Sequence, residues 1–175
     1  DIKGITDISM TTNGVLLEEM AAGIREAGIS RLNVSLDSLR PRRFAEITGS
    51  DSWERVWRGL EAAEANGLSP IKINMVPVKG INDDEIVDFG RLSLERPFHV
   101  RFIEFMPIGA RDRWSTEVCV RSDAVRDTIE RTFSPLEPAA GAGAGPSQNY
   151  RIRGGLGVIG FISPITKHFC AACRR

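Results

Sequence analysis

The chain has 175 residues, of which 42% are hydrophobic, and its 23 basic residues balance its 23 acidic ones. A chain of this length can bury a sizeable core, so we expect one globular domain or part of a larger one. The balanced charge disfavours nucleic acid and anionic membranes as partners. No apolar run approaches the length that crosses a bilayer, and we expect a cytoplasmic location. Three cysteines, two of them close together, suit a reducing compartment better than a disulfide framework.

Strand-like and helix-like segments alternate through the first 133 residues. Apolar, β-branched segments predict four parallel strands, at about 5–11, 31–37, 70–78 and 99–106. Helical periodicity predicts four helices, at about 16–27, at about 52–66, from Asn82 onward and after Ser122. Gly28 and Gly67 are predicted to end the first two helices, and Asn82 with Glu85 predicts a variant of the capping box. This alternation indicates an α/β fold.

The composition changes after residue 133. Residues 134–149 are rich in proline, alanine and glycine, and we interpret them as a flexible linker that cannot bury a core. The residues from Tyr150 onward predict two short strands around Gly154 and Gly155.

The predicted strands each have one polar and one apolar face. A sheet covered by helices on both sides would have almost wholly apolar strands. Polar faces indicate a barrel, closed or open, with a polar lumen; a solvated antiparallel sheet is the alternative. The polar faces carry Asp7, Ser9 and Thr11, then Asn33, Ser35 and Asp37, then Lys72 and Asn74.

The last residues, KHFCAACRR, contain a pair of potential metal ligands. Cys170 and Cys173 stand two residues apart, beside His168. The pattern fits a redox pair, half of a zinc site, or part of a metal cluster. The isolated Cys119 is interpreted as a buried free thiol.

Six motifs occur together in a characteristic order. The chain resembles the MoaA family of radical S-adenosylmethionine (SAM) enzymes, the GTP 3',8-cyclases of molybdenum cofactor biosynthesis. The resemblance covers essentially the whole chain. Its motifs are TTNGVLL (11–17), NVSLDS (33–38), KINMVPVKGIND (72–83), RFIEFMPIG (101–109), YRIRGGLGVIGFISPIT (150–166) and HFCAAC (168–173).

The resemblance implies a fold and a division of the chain. The fold is α/β, a partial TIM-like (β/α) barrel of the radical SAM type with a C-terminal β-hairpin and a cluster-binding segment. Residues 1–133 would form the C-terminal portion of the barrel, 134–149 the linker, and 150–175 the start of a cluster- and substrate-binding region.

The resemblance also implies a radical SAM lyase with GTP as substrate, an electron donor, two [4Fe–4S] clusters and SAM as cofactors, and a homodimer. Ser35 and Met106 would bind SAM, and Cys170 and Cys173 would hold one of the clusters. Arg174 and His168 receive no role. The residues implied to bind GTP are Thr11, Lys72, Arg101 and Arg175.

Two features of the family are not found in this chain. These are the C-x-x-x-C-x-x-C loop, which holds the SAM-binding cluster, and the third cysteine of the C-terminal cluster. We therefore expect an internal segment of a longer protein, unable to cleave SAM by itself. The alternatives are another radical SAM enzyme of the peptide-maturase type, or a non-catalytic module that binds metal or nucleotide. Individual residues also have structural interpretations: Lys72 as a snorkelling or edge residue, and Arg101 as an ion-pair partner of Glu104 or another carboxylate.

Overall fold

The computed structural model describes residues 4–5, 7–107, 115–139 and 145–167. These residues divide into two compact units, the first ending at Ile73 and the second beginning at Asn74. Strand β3 (Ile71–Met75) begins in the first unit and ends in the second.

The first unit contains parallel strands joined through helices. Its strands follow the order β1-β2-β3, and β1 pairs in parallel with β2 from Ser9 opposite Arg31 to Thr12 opposite Val34. Besides β3, its elements are β1 (Ser9–Thr12), α1 (Leu17–Glu26), β2 (Arg31–Ser35), α2 (Pro41–Thr48) and α3 (Trp53–Ala65).

Helix α3 packs closely against the start of α1. A Cβ added at Gly59 would lie 2.7 Å from the carbonyl oxygen of Gly14 and 2.8 Å from Cβ of Leu17, so only glycine permits this approach. The contact closes a core in which Leu32, Val34, Val56, Leu60 and Ala63 are fully buried. The predicted periodicity of both helices is thus confirmed.

Helix α2 was not predicted from the sequence. Pro41 occupies its first turn, where a missing N–H costs no helical hydrogen bond. Phe44 is its only buried residue, whereas α1 and α3 each bury three or more residues, so this eight-residue helix buries a much smaller face. The helix ends at Gly49, whose φ of 71° is the left-handed conformation that favours glycine.

The second unit combines parallel and antiparallel pairing. After β3 come a 3-10 turn (Asp83–Glu85), α4 (Ile86–Glu95), β4 (His99–Ile103), α5 (Ser122–Thr132), β5 (Glu137–Pro138), β6 (Gln148–Arg151) and β7 (Val158–Ile162). The strand order is β3-β4-β7-β6-β5. Strand β7 lies parallel to β4 and antiparallel to β6, and β6 is antiparallel to β5. The two strands predicted around Gly154 and Gly155 are confirmed as the β6–β7 hairpin.

The four strands predicted before residue 107 are all present, and each is shorter than expected. The helix predicted from Asn82 begins instead with the 3-10 turn, and the capping-box prediction is wrong. The side chain of Asn82 faces the preceding loop, where its oxygen accepts from Val78 N–H at 2.7 Å and its NH2 donates to Val76 O at 3.0 Å. The side chain of Asn82 thus stabilises the loop through these two hydrogen bonds and does not cap the helix.

Aromatic packing fills the core of the second unit. Phe102 of β4 makes an edge contact with Phe89 of α4 and stacks with Phe161 of β7, with ring centroids 6.4 and 6.2 Å apart. Within the segment predicted as a linker, Leu136 is buried and residues 137–138 form β5. The division at residues 133 and 149 stays a prediction.

Within the described part of the chain, none of the helices has the length and apolar character needed to cross a bilayer.

Candidate functional site

The polar faces of β1 and β2 meet in the first unit. Thr11 lies opposite Asn33 in the parallel register, and Ser35 follows two residues later on the same face of β2. Thr11 and Ser35 are exposed, whereas Asn33 is only 7% exposed and donates to Met10 O at 3.4 Å. The opposite face of β2, with Leu32 and Val34, is fully buried. Thr11 and Ser35 are therefore available to a ligand while Asn33 supports the strands.

Ser35 lines a cavity of about 190 Å³ at the carboxyl ends of β1 and β2. In parallel (β/α) folds this end of the strands is where ligands bind. Asn13, which follows β1, was not singled out from the sequence, although its place after a strand is the signal that would have found it. Phe44 was missed because α2 was not predicted. The cavity is lined by Asn13, Val15, Ser35, Asp37, Phe44, Thr48, Ser50 and Ser52.

Lys72 lies on the more exposed face of β3. Its neighbours Ile71 and Ile73 point to the opposite, buried face and are 3% and 0% exposed. Lys72 itself is half-buried, so its stem is packed while the strand alternation directs it away from the apolar core.

In the second unit, Arg101 occupies the polar face of β4. Its Nε donates to the side-chain oxygen of Asn74 at 2.8 Å. Arg101 pairs with Gly160 of β7, where an added Cβ would lie 3.0 Å from Cγ of Arg101 and 2.5 Å from Oγ of Ser147. Glycine at position 160 therefore leaves room for the arginine stem and the polar residues before β6. The Nε–H group of Arg101 is thus directed to an amide, and the carboxylate of Glu104 accepts hydrogen bonds from Ser122, Ile165 and Thr166.

The carboxylate of Glu104 follows β4 and is 2% exposed. It accepts hydrogen bonds from the backbone N–H groups of Ser122, Ile165 and Thr166 and from the hydroxyl of Thr166. Burial raises the pKa of this carboxyl, but the four hydrogen bonds outweigh burial and hold the pKa below its ordinary value. Glu104 is thus a buried carboxylate that stays charged near neutral pH.

Two further residues of interest lie in the same unit. Met106, the predicted SAM contact, is half-buried three residues after β4. Cys119, predicted to be a buried free thiol, is a free thiol but only half-buried, and it lines a cavity of about 510 Å³ together with Lys79, Glu117 and Arg121. Burial, and then the charge of Glu104, raises the pKa of the Cys119 thiol. Cys119 is therefore a neutral thiol at physiological pH.

The C-terminal predictions lie outside the described residues: they concern His168, Cys170, Cys173, Arg174 and Arg175. Within the described ranges, no group of three or more histidine, cysteine, aspartate or glutamate side chains could hold a metal ion. The predicted metal ligands thus rest on sequence alone.

Family models match the two ends of the chain in succession. The model of the radical SAM superfamily matches residues 1–92, more than half of the chain. The chain belongs to the radical SAM superfamily. A second model, Molybdenum Cofactor Synthesis C, matches residues 98–175. Membership of the superfamily implies SAM and [4Fe–4S] clusters as cofactors.

Relatives within the superfamily carry the name GTP 3',8-cyclase. The chain is 45% identical to the protein of Pelotomaculum thermopropionicum over 99% of its own length and 54% of the relative. It is 46% identical to that of Moorella thermoacetica and 47% identical to that of Geobacter sulfurreducens, again over 99% of the chain and 54% and 53% of the relatives. These matches confirm the resemblance to the MoaA family. The chain spans about half the length of the curated relatives it matches.

A solved structure supports the fold. The structure of TYW1 with a lysine–pyruvate adduct bound matches 76% of this chain and 43% of the TYW1 chain, with a TM-score of 0.51 and 18% identity. Together with the superfamily match and the mixed α/β sheet, it confirms the predicted fold class, a partial TIM-like (β/α) barrel of the radical SAM type.

Proposed function

We propose that this chain is part of a radical SAM GTP 3',8-cyclase, a lyase of molybdenum cofactor biosynthesis. The observation that carries the proposal is the identity of 45–47% to three GTP 3',8-cyclases over 99% of the chain. The relatives give no support to a peptide maturase or a non-catalytic module. If bound, a reduced [4Fe–4S] cluster and SAM would supply the one-electron chemistry that starts the cyclisation of GTP.

In the first unit, Ser35 contributes to binding SAM. The supporting observation is that its exposed hydroxyl lines the cavity after β1 and β2. Asn13 and Asp37 on the same wall offer an amide and a carboxylate to the polar groups of the ligand. Phe44 closes one side with an apolar surface, which keeps water from part of the cavity.

Thr11 and Lys72 contribute to binding GTP. Thr11 exposes a hydroxyl on the polar face of β1, and Lys72 carries a positive charge on the more exposed face of β3. An ammonium group on a half-buried stem is a suitable partner for a triphosphate, because partial burial weakens solvent screening.

In the second unit, Arg101 contributes a guanidinium for the phosphates and Met106 contributes to binding SAM. Arginine suits phosphate because its planar fork donates parallel hydrogen bonds. The bond from Arg101 to Asn74 uses the Nε–H group and fixes the plane of the fork. Arg175 is proposed as a further cation for the triphosphate, on the resemblance alone.

Cys170 and Cys173 are proposed as two ligands of a [4Fe–4S] cluster. Thiolates are the ligands that such clusters take, so the donor set agrees in kind. His168 does not take part in this proposal. The electron donor, the homodimer and the cytoplasmic location also stay proposals.

The test uses the full-length protein, purified and reconstituted without oxygen. We expect the cyclised product of GTP and 5'-deoxyadenosine when SAM and a reductant are supplied. Ser35→Ala should weaken SAM binding about tenfold and leave GTP binding unchanged, and Lys72→Ala should do the reverse. Each variant is the control for the other. A full-length protein that holds its clusters but forms no cyclised product would overturn the proposal.

A further inference from the structure

Glu104 is a buried charge held by an unusual set of donors. Its Oε1 accepts from Ser122 N–H at 3.0 Å and from the Thr166 hydroxyl at 2.5 Å. Its Oε2 accepts from Ile165 N–H at 3.0 Å and from Thr166 N–H at 2.9 Å. A carboxylate that is 2% exposed loses most of its hydration, so these four bonds are what keep it charged in the folded protein.

The four donors belong to two segments that lie far apart in the sequence from Glu104. One is the N-terminus of α5, where Ser122 N–H has no partner within the helix. The other is the turn formed by residues 163–167, closed by a bond of 3.0 Å from Lys167 N–H to Ser163 O. The hydroxyl of Ser163 also donates to that of Ser122 at 2.8 Å. Glu104 therefore joins the end of β4, the start of α5 and this turn in one buried network.

The position of the turn gives the network its functional meaning. Lys167 ends the turn, and Cys170 follows three residues later in the sequence. Three residues of extended chain span about 10 Å at most, so covalent connectivity limits how far Cys170 can lie from the end of the turn. Ile165 and Thr166 present their N–H groups to Glu104, so the carboxylate sets both the position and the orientation of the turn.

We propose that Glu104 is a positioning residue for the cysteine pair: it anchors the turn 163–167 from which the chain runs to Cys170 and Cys173. This inference rests on the proposed function, because it takes the pair to be cluster ligands. Both carboxylate oxygens of Glu104 accept hydrogen bonds from the chain itself, so Glu104 acts through the turn. The sequence alone had indicated for Glu104 no more than one possible ion pair with Arg101.

The first measurement is hydrogen exchange in full-length Glu104→Gln. The amide keeps the size of the side chain, offers one acceptor oxygen, and turns an NH2 donor toward groups that are themselves donors. We expect the Ile165 and Thr166 amides to exchange about tenfold faster, while the amides of β7 keep their protection. Glu130→Gln is the matched control, because Glu130 also accepts a backbone N–H, that of Leu136 at 3.0 Å, from a segment remote from the turn.

The second measurement is the cluster itself, followed by iron content and by the electron paramagnetic resonance spectrum of the reduced protein. We expect Cys170→Ala to remove the iron of one cluster. Glu104→Gln should lose part of the same iron and shift the same spectral component, and Glu130→Gln should match the wild type. Thr166→Val removes only the hydrogen bond from the Thr166 hydroxyl. It should change the amide exchange and the spectrum in the same direction as Glu104→Gln, by a smaller amount. This variant still tests the proposal if Glu104→Gln fails to fold.

The outcomes separate the two proposals. If Cys170→Ala leaves iron content unchanged, the pair is not a cluster ligand set and both proposals about it are wrong. If Cys170→Ala removes one cluster while Glu104→Gln and Thr166→Val keep both clusters with the wild-type spectrum, only the inference about Glu104 is overturned.

Discussion

Arg101 of β4 and Asn74 of β3 are joined by a hydrogen bond of 2.8 Å between guanidinium Nε and the amide oxygen. Asn74 lies on the same polar face of β3 as Lys72, two residues away. The bond orients a guanidinium without neutralising it, since a carboxamide carries no charge. A guanidinium oriented in this way suits a phosphate, because its planar fork donates parallel hydrogen bonds.

We predict that Asn74→Ala weakens GTP binding less than Arg101→Ala. Loss of the Arg101 guanidinium removes a charge-assisted contact and should raise the Kd for GTP about tenfold or more. Loss of Asn74 removes only the hydrogen bond that orients this guanidinium and should raise the Kd several-fold. Binding is measured by isothermal titration of the full-length protein. Arg153→Ala is the control, because Arg153 is an exposed arginine paired with Glu137. Equal effects from Arg153 and Arg101 would contradict the prediction.

Replacement of two glycines by alanine should change the free energy of unfolding in opposite directions. At Gly157 an added Cβ would lie 2.1 Å from Phe98 O and 2.7 Å from Arg96 O, and these backbone atoms cannot move aside cheaply. We expect Gly157→Ala to lower the free energy of unfolding by about 3 kcal/mol. Gly23 lies exposed inside α1 with open space around it, so Gly23→Ala should raise the free energy by about 0.5–1 kcal/mol. Denaturant unfolding measures the free energy of unfolding of both variants. A change of the same sign in the two variants would refute the argument.

The alkylation rate of Cys119 should rise with pH, and the midpoint of this rise should lie above the pKa of an ordinary cysteine. Burial raises the pKa of this thiol, and the negative charge of Glu104 raises it further. The rate of reaction with iodoacetamide is measured against pH in a variant with Cys170 and Cys173 replaced by alanine. Glu104→Gln in that background should lower the midpoint because the neighbouring charge is removed. A midpoint at or below the ordinary value would show that Cys119 is an activated thiol.

Glu104 should make the stability of the protein sensitive to acid. Its pKa is lower in the folded than in the unfolded chain, so the folded state binds fewer protons. The stabilisation is therefore complete above the unfolded pKa and is lost as the pH falls through the folded pKa. At pH 7 we expect Glu104→Gln to be about 1.5–3 kcal/mol less stable than the wild type. Urea unfolding of both proteins at pH 7 and in acid should show that this difference in the free energy of unfolding becomes smaller in acid. A difference that stays constant would contradict a lowered pKa of Glu104.

The long helices could be predicted because they carry their own signal. Val56, Leu60 and Ala63 of α3 recur at helical spacing and are all fully buried. Helix α2 gives a shorter signal, since it has eight residues, buries only Phe44 and begins at Pro41, a residue that alone suggests a break. Local periodicity thus predicted the elements that bury a full face and missed the one that does not.

The candidate site was predictable only in part, for a related reason. The exposed hydroxyls of Thr11 and Ser35 follow from strand alternation. The cavity beside Ser35 also needs α2, and the role of Glu104 depends on N–H groups of residues that are 61 and 62 positions away in the sequence. Backbone donors leave no trace in residue type, so no pattern could have indicated them. The resemblance to the family indicated which residues bind ligands. The physical patterns predicted only on which strand face these residues lie.

The pairing of β4 with β7 constrains the order in which this protein can fold during synthesis. His99 pairs with Val158, so the edge of β4 waits for a strand that begins 59 residues later (158 − 99). At a translation rate of about 5–20 residues per second, this delay lasts several seconds, during which the backbone groups of β4 on that side have no strand partner. The edge of β4 that pairs with β7 therefore stays unpaired on the ribosome until Val158–Ile162 has left the exit tunnel.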